Sequence, residues 1–293
     1  MKSRFLIMLA AIALLSCEGQ QPSPYHGVLY FAQGAYLMRY SLQDGSLSVA
    51  GHLGDTTIRE ITPLDADQLL VAETASVNRM RVPRISLFNI HTGESADLYA
   101  GVLARYLEGP GVVVYDDGSD LYAVPRWDDS ANKVIFSHAK NQLTRLVEAS
   151  TGVVLFESGP PGESEIYSWT EETGAVRKLD GLARTCRLQG AVWIDSLKAL
   201  ACKRRDQPLI EGGYVLSDLD GNAKDGLKLP ADRQFRALTW VAGQDLLLLE
   251  EYWRGMLDKR YRHAVWTYEV QTGKSERLAD DMNLGDSVVF AEL

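Results

Sequence analysis

One pattern limits this chain more than any other. A short, nearly continuous apolar run returns six times at similar spacing. The runs are Gly27–Phe31 (GVLYF), Asp67–Val71 (DQLLV), Gly111–Tyr115 (GVVVY), Thr151–Leu155 (TGVVL), Ser196–Leu200 (SLKAL) and Gln244–Leu248 (QDLLL). Their starts are separated by 40, 44, 40, 45 and 48 residues. Runs this short suit strands covered on both faces rather than helices. Each is followed by a variable loop, an alternating run, a tight turn and a last short run. The turns are Asp44-Gly45, Thr92-Gly93, Asp128-Asp129-Ser130, Thr173-Gly174, Asp220-Gly221-Asn222 and Thr272-Gly273. Gly, Asn and Asp accept the positive φ of tight hairpins. The alternation is plain at Ile85, Leu87 and Ile90, and again at Val265, Trp266, Tyr268 and Val270.

Units of about 40–48 residues with four short antiparallel strands are β-propeller blades, each hiding one face against the next. The first unit lacks a first strand, while Asp286–Phe290 (DSVVF) is an orphan at the other end of the chain. Pairing the two closes the ring and removes two exposed edges. The expected fold is therefore all-β, a six-bladed propeller over residues 27–293 closed by the C-terminal strand. Seven blades and a two-sheet sandwich are the alternatives.

Tyr214–Asn222 (YVLSDLDGN) followed by Leu227-Lys228-Leu229 resembles the repeat of TolB-type propellers. Ala191–Leu200 and Leu238–Leu247 are similar to that family's tryptophan strand and the strand after it, carrying Trp193 and Trp240. The pattern covers most of the chain, and the residue-level likeness covers blades five and six. The resemblance implies a TolB-like fold.

The N-terminus reads as an export signal. Lys2 and Arg4 precede the 11-residue apolar run Phe5–Leu15, too short for the roughly 20 residues of a membrane-spanning helix. Leu14-Leu15-Ser16-Cys17 resembles the lipobox of bacterial lipoproteins, in which the cysteine is acylated, palmitate included, and becomes the new N-terminus. This implies a signal peptide over 1–16 and a lipidated Cys17. Residues 17–26, polar and proline-bearing, form a flexible tether. Several acyl chains give lasting anchorage where one gives marginal binding. Glu18 is not the aspartate that retains such proteins in the inner membrane. The expected location is the periplasmic side of the outer membrane, or the plasma membrane exterior where there is one membrane.

The formal charge is −9, and −11 once Lys2 and Arg4 leave with the signal peptide. An acidic, exported body argues against nucleic acid as a partner, which needs a basic footprint. With Cys17 lipidated, Cys186 and Cys202 remain as an even pair in an oxidising compartment, on strands expected to be neighbours. A disulfide is the expectation, two free buried thiols the alternative.

Searches for chemistry find no Gly-x-Ser-x-Gly elbow, no His-Glu-x-x-His and no phosphate-binding glycine loop. His26, His52, His91, His138 and His263 are scattered without ligand spacing, which makes solvated positions the expectation. The acidic pairs Asp116-Asp117, Asp128-Asp129, Glu171-Glu172 and Asp280-Asp281 mostly mark turns. No catalytic residue, metal site or cofactor is therefore assigned.

One constellation stands out. Loops joining second to third strands all emerge on one face of a propeller, and three carry basic and aromatic residues. The blade-two loop holds Arg79, Arg81 and Arg84, and the blade-five loop Lys203, Arg204 and Arg205. The blade-six loop holds Tyr252, Trp253, Arg254, Lys259, Arg260, Tyr261 and Arg262. Arg, Trp and Tyr dominate binding hot spots, and long loops on rigid scaffolds carry binding. The expected function is a non-enzymatic, envelope-anchored binding or scaffolding protein presenting this face to an anionic protein or envelope component. The alternative is a propeller hydrolase working at the central channel.

Overall fold

A computed structural model describes residues 24–291 except 79, 127, 129–130, 140–141, 161–162, 208–212, 225, 231–232, 255–260, 281, 283 and 285–287. Residues 1–16, Cys17 and the tether to residue 23 lie outside the described residues.

The strands form six four-stranded antiparallel sheets. Blade one takes β1 (Val28–Gln33), β2 (Tyr36–Ser41) and β3 (Leu47–His52) from the start of the chain and β24 (Val288–Ala291) from its end. Blade two is β4 (Thr56–Pro63), β5 (Gln68–Val77), β6 (Met80–Asn89) and β7 (Ser95–Tyr99). Blade three is β8 (Leu103–Leu107), β9 (Val112–Asp116), β10 (Asp120–Pro125) and β11 (Lys133–Ser137). Blade four is β12 (Leu143–Glu148), β13 (Val153–Ser158), β14 (Glu165–Thr170) and β15 (Ala175–Lys178). A short helix, α1 (Asp180–Thr185), leads into blade five: β16 (Cys186–Ile194), β17 (Ala199–Arg204), β18 (Tyr214–Ser217) and β19 (Ala223–Lys224). Blade six is β20 (Phe235–Val241), β21 (Leu246–Arg254), β22 (Tyr261–Glu269) and β23 (Ser275–Asp280). This is the six-bladed propeller expected from the repeat, and every apolar run that marked a unit lies in or leads into its blade's second strand, the Ser196–Leu200 run crossing a 3-10 turn (Asp195–Leu197) before β17.

The burial of each strand follows its place in the blade. Second strands lie sandwiched between neighbouring blades, so β9 is buried at all five positions. Outer strands such as β3 face water at most positions. Six buried apolar clusters fill the six clefts between blades. Alternation along β1 decides which cleft a side chain enters. Leu29 and Phe31 join the cluster shared with blade six, while Val28 and Tyr30 join the one shared with blade two.

Closure is made by Val28↔Ala291 through Phe31↔Val288. Gly27, just before β1, has φ +98, and a Cβ there would stand 2.3 Å from the Phe290 ring, so the seam needs glycine. The six inner strands contact one another in the order β24, β4, β8, β12, β16, β20 and surround the axis. Cys186 and Cys202 are disulfide-bonded inside the cleft between blades four and five, with Cα atoms 5.6 Å apart. That spacing is typical of an unforced bridge.

Candidate functional site

The two faces of the ring differ. On the face of the second-to-third-strand turns, two hairpins stand tall. In blade two, β5 and β6 pair from Gln68↔Asn89 out to Val77↔Met80. The turn uses Asn78 at φ 52, a left-handed conformation that asparagine tolerates. In blade six, β21 and β22 pair from Leu246↔Glu269 out to Arg254↔Tyr261. Blade one between them turns already after Gln33↔Tyr36. The four extra residues of β5 lift its tip about 13 Å above blade one. The tip of the blade-two hairpin exposes Val77, Met80 and Val82, with Met80 65% accessible. Tyr36, its ring tilted against His52 with centroids 4.6 Å apart, is exposed at the top of blade one.

The basic loop residues meet this face unequally. Arg81 is exposed beside Met80, and Arg262 is exposed on β22. Arg84 turns down onto Glu73, at 2.7 Å, and Asp97, at 3.2 Å. Arg204 pairs with Asp206 at 2.9 Å. Arg205 reaches inward to Glu157 at 2.9 Å and donates to the carbonyls of Ser164 and Ala183, each at 2.8 Å. Lys203 is 5% exposed, its ammonium 5.9 Å from the ring centres of both Tyr214 and Tyr252. Burial, with Arg236 nearby, lowers its pKa. Trp253 is half-buried under the Arg277 guanidinium at 5.4 Å. Arg79, Lys259 and Arg260 lie outside the described residues, and of Arg254 and Tyr261 only the backbone is described.

The loops thus share a face, but much of their charge is spent locally. The reason lies in carboxylates that the loop composition did not reveal. Second strands carry buried acids just past their apolar runs: Glu73 in blade two, Glu157 in blade four, and Glu250 and Glu251 in blade six. A buried carboxylate requires a paired donor. Glu73 takes Arg84 and Glu157 takes Arg205; Glu250 takes Arg236, and Glu251 takes Arg233 at 3.1 Å. A signal was present, since each acid ends an apolar run.

The axis is the second site. A cavity of about 440 Å³ opens toward the opposite face and is lined by inner strands of all six blades. Its polar wall consists of Arg105, Glu108, Arg145, Glu148, Trp193 and Trp240. Four of the six inner strands carry bulges, at Ile58/Glu60, Leu143/Arg145, Arg187/Val192 and Ala237/Thr239, which break their alternation at the axis. Arg105 is fully engaged. It contacts Glu60 at 2.7 Å, Thr62 Oγ1 at 3.2 Å and the Leu146 carbonyl at 3.3 Å, tying blades two, three and four together. Glu148 makes no hydrogen bond or ion pair with any described residue. Burial pushes its carboxyl up to about 7, against the lowering effect of Arg105 and with a smaller contribution from Glu108. The indole Nε1 of Trp240 is buried and makes no hydrogen bond. Sequence reasoning missed these groups because nothing local marks them; they converge from inner strands far apart in the chain.

His138, expected in solvent, is buried instead. Its Nε2 lies 2.8 Å from Asp116 Oδ1, with side chains 1% and 0% exposed, and its Nδ1 lies 2.8 Å from the Ala139 carbonyl. Burial raises the Asp116 pKa. The pair fastens β9 to the end of β11. Among the described residues, no three His, Cys, Asp or Glu side chains gather closely enough to hold a metal. No helix among them is long and apolar enough to cross a membrane.

No family model matches the chain, and no curated protein does. Solved structures do. A chain of the nidogen/laminin complex superposes with a TM-score of 0.62 at 12% identity, covering 90% of this chain and 98% of that one. The putative TolB of Agrobacterium tumefaciens gives 0.59 at 10% identity, covering 92% and 99%. TolB of Acinetobacter baumannii gives 0.58 at 13% identity, covering 89% of this chain and 66% of the TolB chain. The likeness is one of fold. It agrees with the TolB-type repeat in blades five and six, and identity this low transfers no activity.

Proposed function

We propose that the chain is a lipid-anchored envelope protein that works by binding another protein on its tall-hairpin face. The observation that carries this reading is the blade-two hairpin, whose tip holds Val77, Met80 and Val82 out in water beside Arg81. Exposed apolar side chains grouped on a raised, rigid element mark interaction surfaces. Arg81 and Arg262 add positive charge, so the fitting partner surface is apolar with an acidic margin.

The placement of the N-terminus supports the same reading. β1 runs toward the Gln33–Tyr36 turn, so the chain enters the ring from the opposite face. There the His26 N–H donates to Gln244 Oε1 at 3.0 Å, and Gln244 Nε2 donates back to the His26 carbonyl at 2.6 Å. Lipidation of Cys17, in the outer membrane or on the exterior of a single plasma membrane, leaves the hairpins facing away from the bilayer. The structural neighbours include a protein solved as a complex with a second protein, nidogen with laminin. The alternative, a hydrolase at the channel, draws on Glu148 as a carboxyl suited to acid work.

Site-specific photocrosslinking in whole envelopes tests the proposal. A crosslinker at position 80 is expected to give a discrete protein adduct, and one at position 92, on a turn of the opposite face, is not. Equal adducts from both positions, or none from position 80, refute it.

A further inference from the structure

We propose that the axial cavity is a binding site for a small primary ammonium ion, with Glu148 as its counter-ion and Trp193 and Trp240 among its walls. This site lies on the other side of the ring from the hairpins and stands independently of the partner-binding proposal.

The volume, about 440 Å³, is in the range of small-molecule sites. Its chemistry selects the ligand. Arg105 already has Glu60, Thr62 and the Leu146 carbonyl as partners, so it stays with the wall. Glu148 has none, and a half-buried carboxylate without a donor is stabilised by whatever supplies one. An ammonium ion supplies donors and charge together. Trp193 and Trp240 line the same cavity, and the face of tryptophan attracts positive charge. Around these groups the wall is apolar, including Val147, Val192 and Val289, so the ligand needs a short hydrocarbon body.

Binding is coupled to a proton. The charged groups facing Glu148 are Arg105 and Glu108 from blade three and Arg145 on its own strand. The neighbouring wall from β16 offers Ala191, Val192 and Trp193, which do not titrate. In the empty cavity the carboxyl is half-protonated near neutral pH, and the ammonium ion binds the ionised form. The proton leaves to solvent.

The test uses 6-aminohexanamide as probe, with neutral hexanamide and anionic hexanoate as controls, read by tryptophan fluorescence of the folded protein. The amine is expected to give a saturable change, and its apparent affinity is expected to rise about tenfold from pH 6 to pH 8 as Glu148 ionises. Glu148→Gln is expected to abolish both the preference for the amine and its pH dependence while leaving the folded circular dichroism spectrum unchanged. No saturable response in the wild type overturns the proposal. So does an equal response to hexanamide, tighter binding of hexanoate, or pH dependence that survives in Glu148→Gln.

Discussion

Replacing Glu148 by glutamine isolates the energetic consequence of leaving a carboxyl unpaired at the propeller axis. Raising that carboxyl from its ordinary 4.5 to about 7 corresponds to about 3 kcal/mol in favour of the protonated form. Water reaching a half-buried group trims the effect, so we expect about 2 kcal/mol. Its dependence on pH has a definite sign. Below about pH 4.5 the carboxyl is protonated in both folded and unfolded chains, and burial carries no penalty. Between 4.5 and 7 the unfolded chain ionises first, so the stability of the folded state falls as pH rises. Above 7 both forms are ionised and the penalty is constant. Glu148→Gln removes this slope: it should match the wild type at pH 4 and exceed it by about 2 kcal/mol at pH 8. Urea unfolding of both proteins across that range measures the difference directly. A variant less stable than the wild type at pH 8 would mean that the carboxylate makes a favourable contact inside the protein. A difference independent of pH would mean that burial does not set the Glu148 pKa.

Other outcomes follow from single features. Cys17→Ser should move the protein from the membrane to the soluble fraction, checked by fractionation at high salt. Opening the Cys186–Cys202 bridge, which closes a loop of 15 intervening residues, should cost about 3 kcal/mol by loop entropy. Comparing unfolding of the oxidised protein with the Cys186→Ala/Cys202→Ala variant measures it. Arg84→Ala strands Glu73, which is 0% exposed, and should cost about 3–5 kcal/mol. Adding Glu73→Gln should recover much of that loss in a double-mutant cycle. Arg204→Glu breaks only the exposed pair with Asp206 and should change stability by less than about 1 kcal/mol.

The fold was legible because a propeller writes its repeat into the chain. Each second strand is covered on both faces, so Val112–Tyr115 and Leu246–Leu249 read as unbroken apolar runs. Each outer turn needs positive φ, so Gly45, Gly93 and Gly273 punctuate the units at the same place. Closure was legible from two incomplete ends, and the disulfide from an even count on neighbouring strands. The working surfaces were less so. Loop composition did not reveal the partners of the basic residues it singled out, since Glu157 and Arg205 meet across 48 positions of sequence. His138 looked like a strand-end residue in solvent, and only the return of β11 past the turn between β9 and β10 shows Asp116 beneath it. The axial wall left no trace in any one unit, because it is assembled from a few residues of each of the six blades.

These differences have a common physical origin in where a propeller can tolerate charge. In the clefts between blades, packing is two-sided and dry, so an acid there is retained only with a partner aimed at it. Glu73, Glu157 and Glu250 each have an arginine, and Lys203 has two aromatic faces. At the axis six strands converge without touching across the middle, and the space they leave admits water. Glu148 stays there with no hydrogen bond or ion pair to a described residue, its carboxyl pushed up to about 7 by burial. The hairpin face presents side chains whose charges are largely satisfied, leaving apolar contact as its main resource. The axis instead presents a carboxyl that no described residue pairs, and a ligand or water can supply the donor it lacks.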